Sequence, residues 1–206
     1  MKKMIDKPVA ERMAFWIPAD HYQPVQGQQV LVDEKKDDGL ANVSCTLPSS
    51  HAYELTLEGK HVAHLNSQRC TDGILLLEHP SGSWELHIIE CKRTVNRNKW
   101  RKTKLQFEAS IQRAMAVATG VGIFPAKIKL YTAVRNEEIR DEIMASPVLS
   151  KITPADRDAF TPEELEKYHF FDWFDPTLEL WVNDNIPHEI IPLDDQGVGN
   201  VQIQFI

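Results

Sequence analysis

The sequence predicts an α/β fold with a mixed central sheet, and three observations predict it. An apolar run at residues 74–77, a turn at 79–83 and a β-prone run at 84–90 make a hairpin. A helical stripe follows over residues 100–119. An alternating strand comes next, over 126–134. A helix between strands is the crossover that parallel pairing needs, so a hairpin plus that unit gives a sheet of mixed polarity.

From the N-terminus, residues 6–16 read as a short helix with Asp6 as cap, Pro8 in the first turn, and Val9, Met13 and Trp16 on one side. Residues 17–51 are rich in Pro, Gly, Gln and other polar types, and Val30-Leu31-Val32 is the evident strand there. Lys35-Lys36-Asp37-Asp38-Gly39 reads as an exposed turn. Tyr53, Leu55 and Leu57 alternate with Glu54, Thr56 and Glu58, the period of a half-buried strand. A helix over 50–58 stopped by Gly59 is the competing assignment. Gly59-Lys60 then turns the chain into a strand over 61–65.

In the helix over 100–119, Phe107, Ile111, Ala114, Met115 and Ala118 mark the buried stripe, and Gly120 and Gly122 end it. Along 126–134, Ile128, Leu130 and Thr132 alternate with Lys127, Lys129 and Tyr131. A polar helix is expected over 136–145. Thr161-Pro162-Glu163-Glu164 is a strong helix start, with a capping hydroxyl, a first-position proline and a capping-box glutamate. Residues 168–174 are dense in aromatics, with Trp173, Phe174 and Trp181 read as filling a small second core, and 178–182 and 189–191 look like short strands. The expected organisation is a core over 1–145 and an acidic, aromatic-rich α+β extension over 146–206 packed on it as one compact domain. The hinge falls at 146–158.

The hairpin carries the chemistry. Pro80 suits the first corner of a type I turn, and Gly82 suits the left-handed position closing a three-residue loop. With His79 and Ser83 flanking that loop, paired positions sum to 162: Leu76 faces Leu86, Ile74 faces Ile88 and Asp72 faces Glu90. Opposed residues share a face with β-carbons roughly 4.5–5.5 Å apart. Lys92, two residues past Glu90, points the same way.

Two facing carboxylates resist ionisation unless something positive lies between them. A hard cation, Mg²⁺ or Mn²⁺, meets that demand, being held by one or two carboxylates with room left for phosphate. Asp72, Glu90 and the backbone carbonyl of Cys91 are the candidate ligands, and Lys92 the candidate for orienting an attacking water. The plainer alternatives are Asp72 as a turn cap, Glu90 in a salt bridge with Lys92 or Arg93, and the Cys91 thiol as a buried filler.

Asp-(spacer)-Glu-x-Lys on adjacent strands, here Thr71-Asp72 and Glu90-Cys91-Lys92 followed by a basic stretch and a helix, resembles the PD-(D/E)xK, or restriction-endonuclease-like, nuclease superfamily. The resemblance spans roughly residues 52–134, and Thr71 stands where the family's name has proline. It implies an αβββαβ core and hydrolysis of phosphodiester bonds, with Asp72, Glu90 and Lys92 catalytic. It also implies a glutamate from the first core helix. That would be Glu11, or Glu54 or Glu58 if 50–58 is helical. A Gln, Lys or Arg from the later helix is implied too, with Gln106, Gln112 and Lys104 as candidates. One branch, resembling the RecB-type nucleases, has Tyr four residues after Gln. Ser110 follows Gln106 and Ala116 follows Gln112, so nothing supports that branch.

The net charge of −7 looks wrong for a nucleic-acid protein, but it is unevenly spread. Residues 1–134 hold 18 Lys and Arg against 14 Asp and Glu, a net of +4, whereas 135–206 hold 5 against 16, a net of −11. Lys92, Arg93, Arg97, Lys99, Arg101, Lys102 and Lys104 follow one another without an intervening acid. Beside a metal-binding hairpin that run is suited to tracking phosphates; by itself it would be a solvated helix start.

No apolar run approaches the length of about 20 residues that spans a bilayer, and residues 1–6 lack the pattern of a secretory leader. Cys45, Cys70 and Cys91 are odd in number and lack CxxC spacing, so a reduced, cytoplasmic protein is expected. His61, His64 and Cys70 match no tetrahedral zinc spacing. The absence of a Gly-rich phosphate loop and of GxSxG argues against nucleotide-driven motors and serine hydrolases. The expectation is a Mg²⁺-dependent nuclease acting on DNA. A non-catalytic interaction subunit on the same scaffold and an RNA-directed nuclease are the alternatives. A protein partner would dock through the acidic C-terminal region, and a homodimer is left open.

Overall fold

In the computed structural model, which describes residues 4–34, 41–62, 65–139, 178 and 186–206, a 3-10 turn at Met4–Asp6 leads into α1 (Val9–Trp16). The strands β1 (Tyr22–Pro24), β2 (Gln29–Glu34), β3 (Ala41–Thr46), β4 (Ala52–Leu55), β5 (Gly73–Glu78) and β6 (Trp84–Val95) follow. Then come α2 (Arg97–Gly120), β7 (Pro125–Glu137), β8 (His188–Pro192) and β9 (Val198–Gln202). Among the described residues no helix is long and apolar enough to cross a membrane.

Pro80 and Gly82 produce the turn their chemistry requires. The His79 N–H donates to the Ser83 carbonyl at 2.8 Å, the Gly82 N–H to the His79 carbonyl at 2.8 Å, and Gly82 adopts φ +84°. The register follows: β5 and β6 pair antiparallel from Gly73↔Ile89 through Ile74↔Ile88 and Leu76↔Leu86 to Glu78↔Trp84. Each pair sums to 162, as the turn dictates. α2 then carries the chain over to β7, which lies parallel to β6.

The strands form two sheets, a six-stranded one in the order β1-β4-β5-β6-β7-β8 and a three-stranded one in the order β2-β3-β9. In the larger sheet β1 to β6 pair antiparallel with their neighbours, while β6-β7 and β7-β8 are parallel. The protein is therefore mixed α/β with a mixed sheet. Alternation along β6 sends Leu86 and Ile88 toward α2 and Ile89 and Cys91 toward the second sheet. β5 and β6 are covered on both faces, which explains the apolar run of β5 and the unbroken burial of β6 from Trp84 to Cys91.

Gly73 sets how closely the two sheets approach. A β-carbon there would lie 2.7 Å from a Val32 methyl, so β2 rests directly on the backbone of β5.

Several expectations are corrected. Pro8 is the residue before the first helical position, not part of the first turn, and Asp6 belongs to the preceding 3-10 turn. Met13 is buried, but Trp16 is 56% exposed and packs edge-on against Phe15. Residues 52–55 are a strand, so the helix over 50–58 does not form. Residues 61, 62 and 65 carry no strand. There Arg113 replaces a ladder: it donates to the carbonyls of Leu57, Lys60 (2.6 Å) and Ser67 (3.0 Å), gathering the β4–β5 connection around one guanidinium.

α2 starts three residues before the predicted position because the Asn96 side chain accepts from the Lys99 N–H at 3.0 Å and caps it. Its stripe is as expected except that Met115 is only half-buried. Residues 136 and 137 close β7 rather than opening a helix. Ile139 is helical; residues 140–145 of the helix expected over 136–145, the Lys35–Gly39 turn, the hinge at 146–158, the Thr161 helix start and the aromatic stretch at 168–174 lie outside the described residues. So does the expected strand over 178–182, apart from Leu178, which is buried. The strand expected at 189–191 is β8.

Candidate metal and phosphate site

The open end of the hairpin brings Asp72, Glu90 and Lys92 together. Asp72 sits one residue beyond β5, and its Oδ2 accepts the Cys91 N–H at 2.7 Å, which draws its carboxylate against the β6 backbone. N–H and C=O of one strand residue point to the same edge. The Cys91 carbonyl is therefore directed past the end of β5, to the side Asp72 occupies, while its thiol is buried toward the second sheet. The Lys92 ammonium donates to Glu90 Oε1.

Glu90 is fully buried, and among the described residues its Oε2 has no hydrogen-bond partner. Burial first, and then the charge of Asp72, push its carboxyl up to about 8 from an ordinary 4.5. Burial works against the Lys92 charge, yet Glu90, Asp72 and Glu34 together raise its pKa. A buried carboxylate oxygen with nothing to accept from, beside a second carboxylate, fits a hard cation by donor chemistry. Among the described residues no three acidic, histidine or cysteine side chains converge at ligand spacing. The hairpin thus offers two carboxylates and a carbonyl.

The loop carrying Asp72 is tied to α2. Ser110 Oγ accepts from the Thr71 N–H (2.8 Å) and hydroxyl (3.0 Å), and Gln106 Nε2 donates to the Cys70 carbonyl at 3.3 Å. Gln106 is thereby brought to the site's supporting loop. Gln112, about 240° further round the helix, is not. On the other flank Thr132 lies beside Glu90 in the ladder, and its hydroxyl meets His188 Nε2 at 2.8 Å. His188 packs against Trp100 and Phe107.

The basic run borders the same end. α2 begins two residues after β6 ends, and Arg93, Lys99, Arg101 and Lys102 are exposed there; Lys104 is half-buried. The Arg97 side chain lies outside the described set. Glu11 is placed elsewhere: it pairs with Lys7 at 2.9 Å on a helix whose Arg12 docks on the Val121 carbonyl, about 16 Å along α2 from Ser110. Glu54 and Glu58 come closer, lining with Asp72 a cleft of about 380 Å³. Glu54 accepts from Gln23 at 2.6 Å.

Glu34 shares that cleft and was not among the residues the sequence singled out. Its signal lies in the parity of β2, where Val30 and Val32 face inward and Glu34 follows at the next inward position. Ser110 and Thr132 carried no signal beyond being polar on an apolar face. No protein-family model, curated protein or solved structure matches this chain.

Proposed function

We propose that this protein is a Mg²⁺-dependent phosphodiesterase that cleaves DNA, built on a restriction-endonuclease-like αβββαβ core whose six elements are α1, β4, β5, β6, α2 and β7. The observation that carries the reading is the meeting of Asp72, Glu90 and Lys92 at the end of one hairpin, with Glu90 Oε2 buried and without a partner among the described residues.

Asp72, Glu90 and the Cys91 carbonyl are the residues that would hold the ion. A bound Mg²⁺ supplies Lewis-acid neutralisation of charge on the phosphoryl group. Lys92 is a donor within reach of Glu90, suited to orienting the attacking water and to offsetting the negative charge that grows in the transition state. Arg93, Lys99, Arg101 and Lys102 would hold the flanking phosphates, contacts that fix register without reading bases. The Thr71–Ser110 and Gln106–Cys70 hydrogen bonds keep the Asp72 loop in place.

Incubating the protein with supercoiled plasmid, linear duplex and single-stranded RNA, each with Mg²⁺, Mn²⁺ or EDTA, tests the proposal. DNA cleavage should require the metal and fall by about 10²-fold or more in both Asp72→Ala and Lys92→Ala. Cleavage that both variants retain in full would refute it. Preferential cutting of RNA would keep the chemistry and overturn the substrate.

A further inference from the structure

β2 ends the three-stranded sheet, and among the described residues no strand pairs with its outer edge. Its ladder with β3 runs from Gln29↔Thr46 to Glu34↔Ala41 without a bulge, about 20 Å of regular strand. Bonds at the ends of the ladder fix its parity. The Leu47 N–H donates to the Gln28 carbonyl, whereas Asn42 and Thr46 bond the other way, to Gly197 and Ile203. Val30, Val32 and Glu34 therefore direct their N–H and C=O groups to β3, and Gln29, Leu31 and Asp33 direct theirs to the open edge. All three are exposed, Leu31 by 58%. Natural sheet edges are commonly blunted by proline, lysine or a bulge. β2 has none of these, and its only charges are Asp33 and Glu34.

The edge opens on a groove. Two clefts of about 380 and 370 Å³ share Gln23, Leu31 and Glu54, and together they follow β2 from Gln29 to Glu34. The floor is formed by β1 and β4. Ala52 belongs to the core beneath the small sheet, and Glu54, two residues on, points the same way and accepts from Gln23 at 2.6 Å. Asp33, Glu34, Glu54, Glu58 and Asp72 line the groove, and among the described residues no Lys, Arg or His does.

We propose that the open edge of β2 takes up an extended, basic peptide segment of a partner protein as a fourth strand of the small sheet. Backbone hydrogen bonds to Gln29, Leu31 and Asp33 supply the pairing. Alternate Lys or Arg side chains reach down to Glu54 and its neighbours, and the intervening side chains pack beside Leu31. Charge selects this occupant over the others. A groove lined by acids repels a phosphate backbone, so this face is not a DNA surface. A second copy paired through β2 would set two acidic grooves against each other. The inference does not depend on the nuclease reading.

Fluorescence anisotropy at low salt, with the full chain and a labelled, capped peptide of alternating Lys and Val, tests this. The peptide should bind about tenfold or more tightly than an alternating Glu-Val peptide. Methylating its backbone nitrogens keeps the charge and removes the donors, and should weaken binding by about tenfold or more. Leu31→Pro should weaken it similarly, because it deletes an N–H that faces the open edge and leaves the β2–β3 ladder whole. A Lys-Val peptide that does not bind refutes the proposal. Undiminished binding of the methylated peptide would reduce the contact to charge alone and overturn strand addition. Equal binding of the Glu-Val peptide would overturn the basic occupant. Sedimentation supplies the remaining outcome: a dimeric parent beside a monomeric Leu31→Pro chain would give the edge to a second copy and overturn the proposal.

Discussion

His87 shows how one buried residue makes the fold sensitive to acid. Its ring is fully buried, with Nδ1 at 3.1 Å from the Tyr131 hydroxyl and Nε2 at 3.5 Å from Glu85. Burial, and then the charge of Lys129, pull the imidazole down to about 4 from 6.5. The unfolded chain takes up that proton near 6.5 and the folded chain resists it, so stability falls as pH drops from about 6.5 to about 4 and levels off below. At about 1.4 kcal/mol per pH unit the loss is roughly 3 kcal/mol. Urea melts between pH 7.5 and 4 should show this decline in the parent and a smaller one in His87→Gln. Parallel declines in both proteins would mean that other groups carry the acid sensitivity.

At the scale of elements, the exposed cations at the start of α2 make a separable prediction. Lys99, Arg101 and Lys102 are exposed and the Asn96 cap does not involve their side chains, so replacing all three by Gln leaves the helix intact. If each contacts one phosphate, the slope of log K against log salt for duplex DNA should shrink by about 0.9 per residue. Fluorescence anisotropy in EDTA reads the slope without cleavage, and an unaltered slope would place the DNA elsewhere. These elements were legible because their signals are local. Pro80 and Gly82 set the turn, the turn sets the register, and the register brings Asp72 beside Glu90 and Lys92. β3 was not legible although Ala41, Val43 and Cys45 alternate cleanly with Asn42, Ser44 and Thr46. Its inward residues are small, so the run resembles the polar stretch around it. Arg113 was hidden for the opposite reason, being a charged residue whose partners are three backbone carbonyls in a distant loop.

At the scale of the molecule, the second sheet is what sequence patterns could not assemble. β9 pairs parallel with β3, and β8 pairs parallel with β7, both across long stretches of chain where no local turn dictates the partner. Glu34 was missed with them, since its position follows from how one sheet rests on the other. The C-terminal strands are also structural members of both layers. β8 and the segment after it bury Ile191 and Leu193, and β9 and its extension bury Val201 and Ile203. The Ile206 N–H donates to Glu85 Oε2 at 3.0 Å, pinning the chain to β6. Burying four such side chains contributes roughly 1.5–3 kcal/mol each, or about 6–12 kcal/mol together. That equals most of the roughly 5–15 kcal/mol by which a domain is stable at all. A chain ending at Val134 loses these side chains and exposes the bare edges of β3 and β7. It should therefore show no cooperative thermal transition and should bind hydrophobic dye at room temperature. A sharp melt in the truncated chain would show that the first 134 residues hold both sheets without β8 and β9, and that the burial of those four side chains is dispensable.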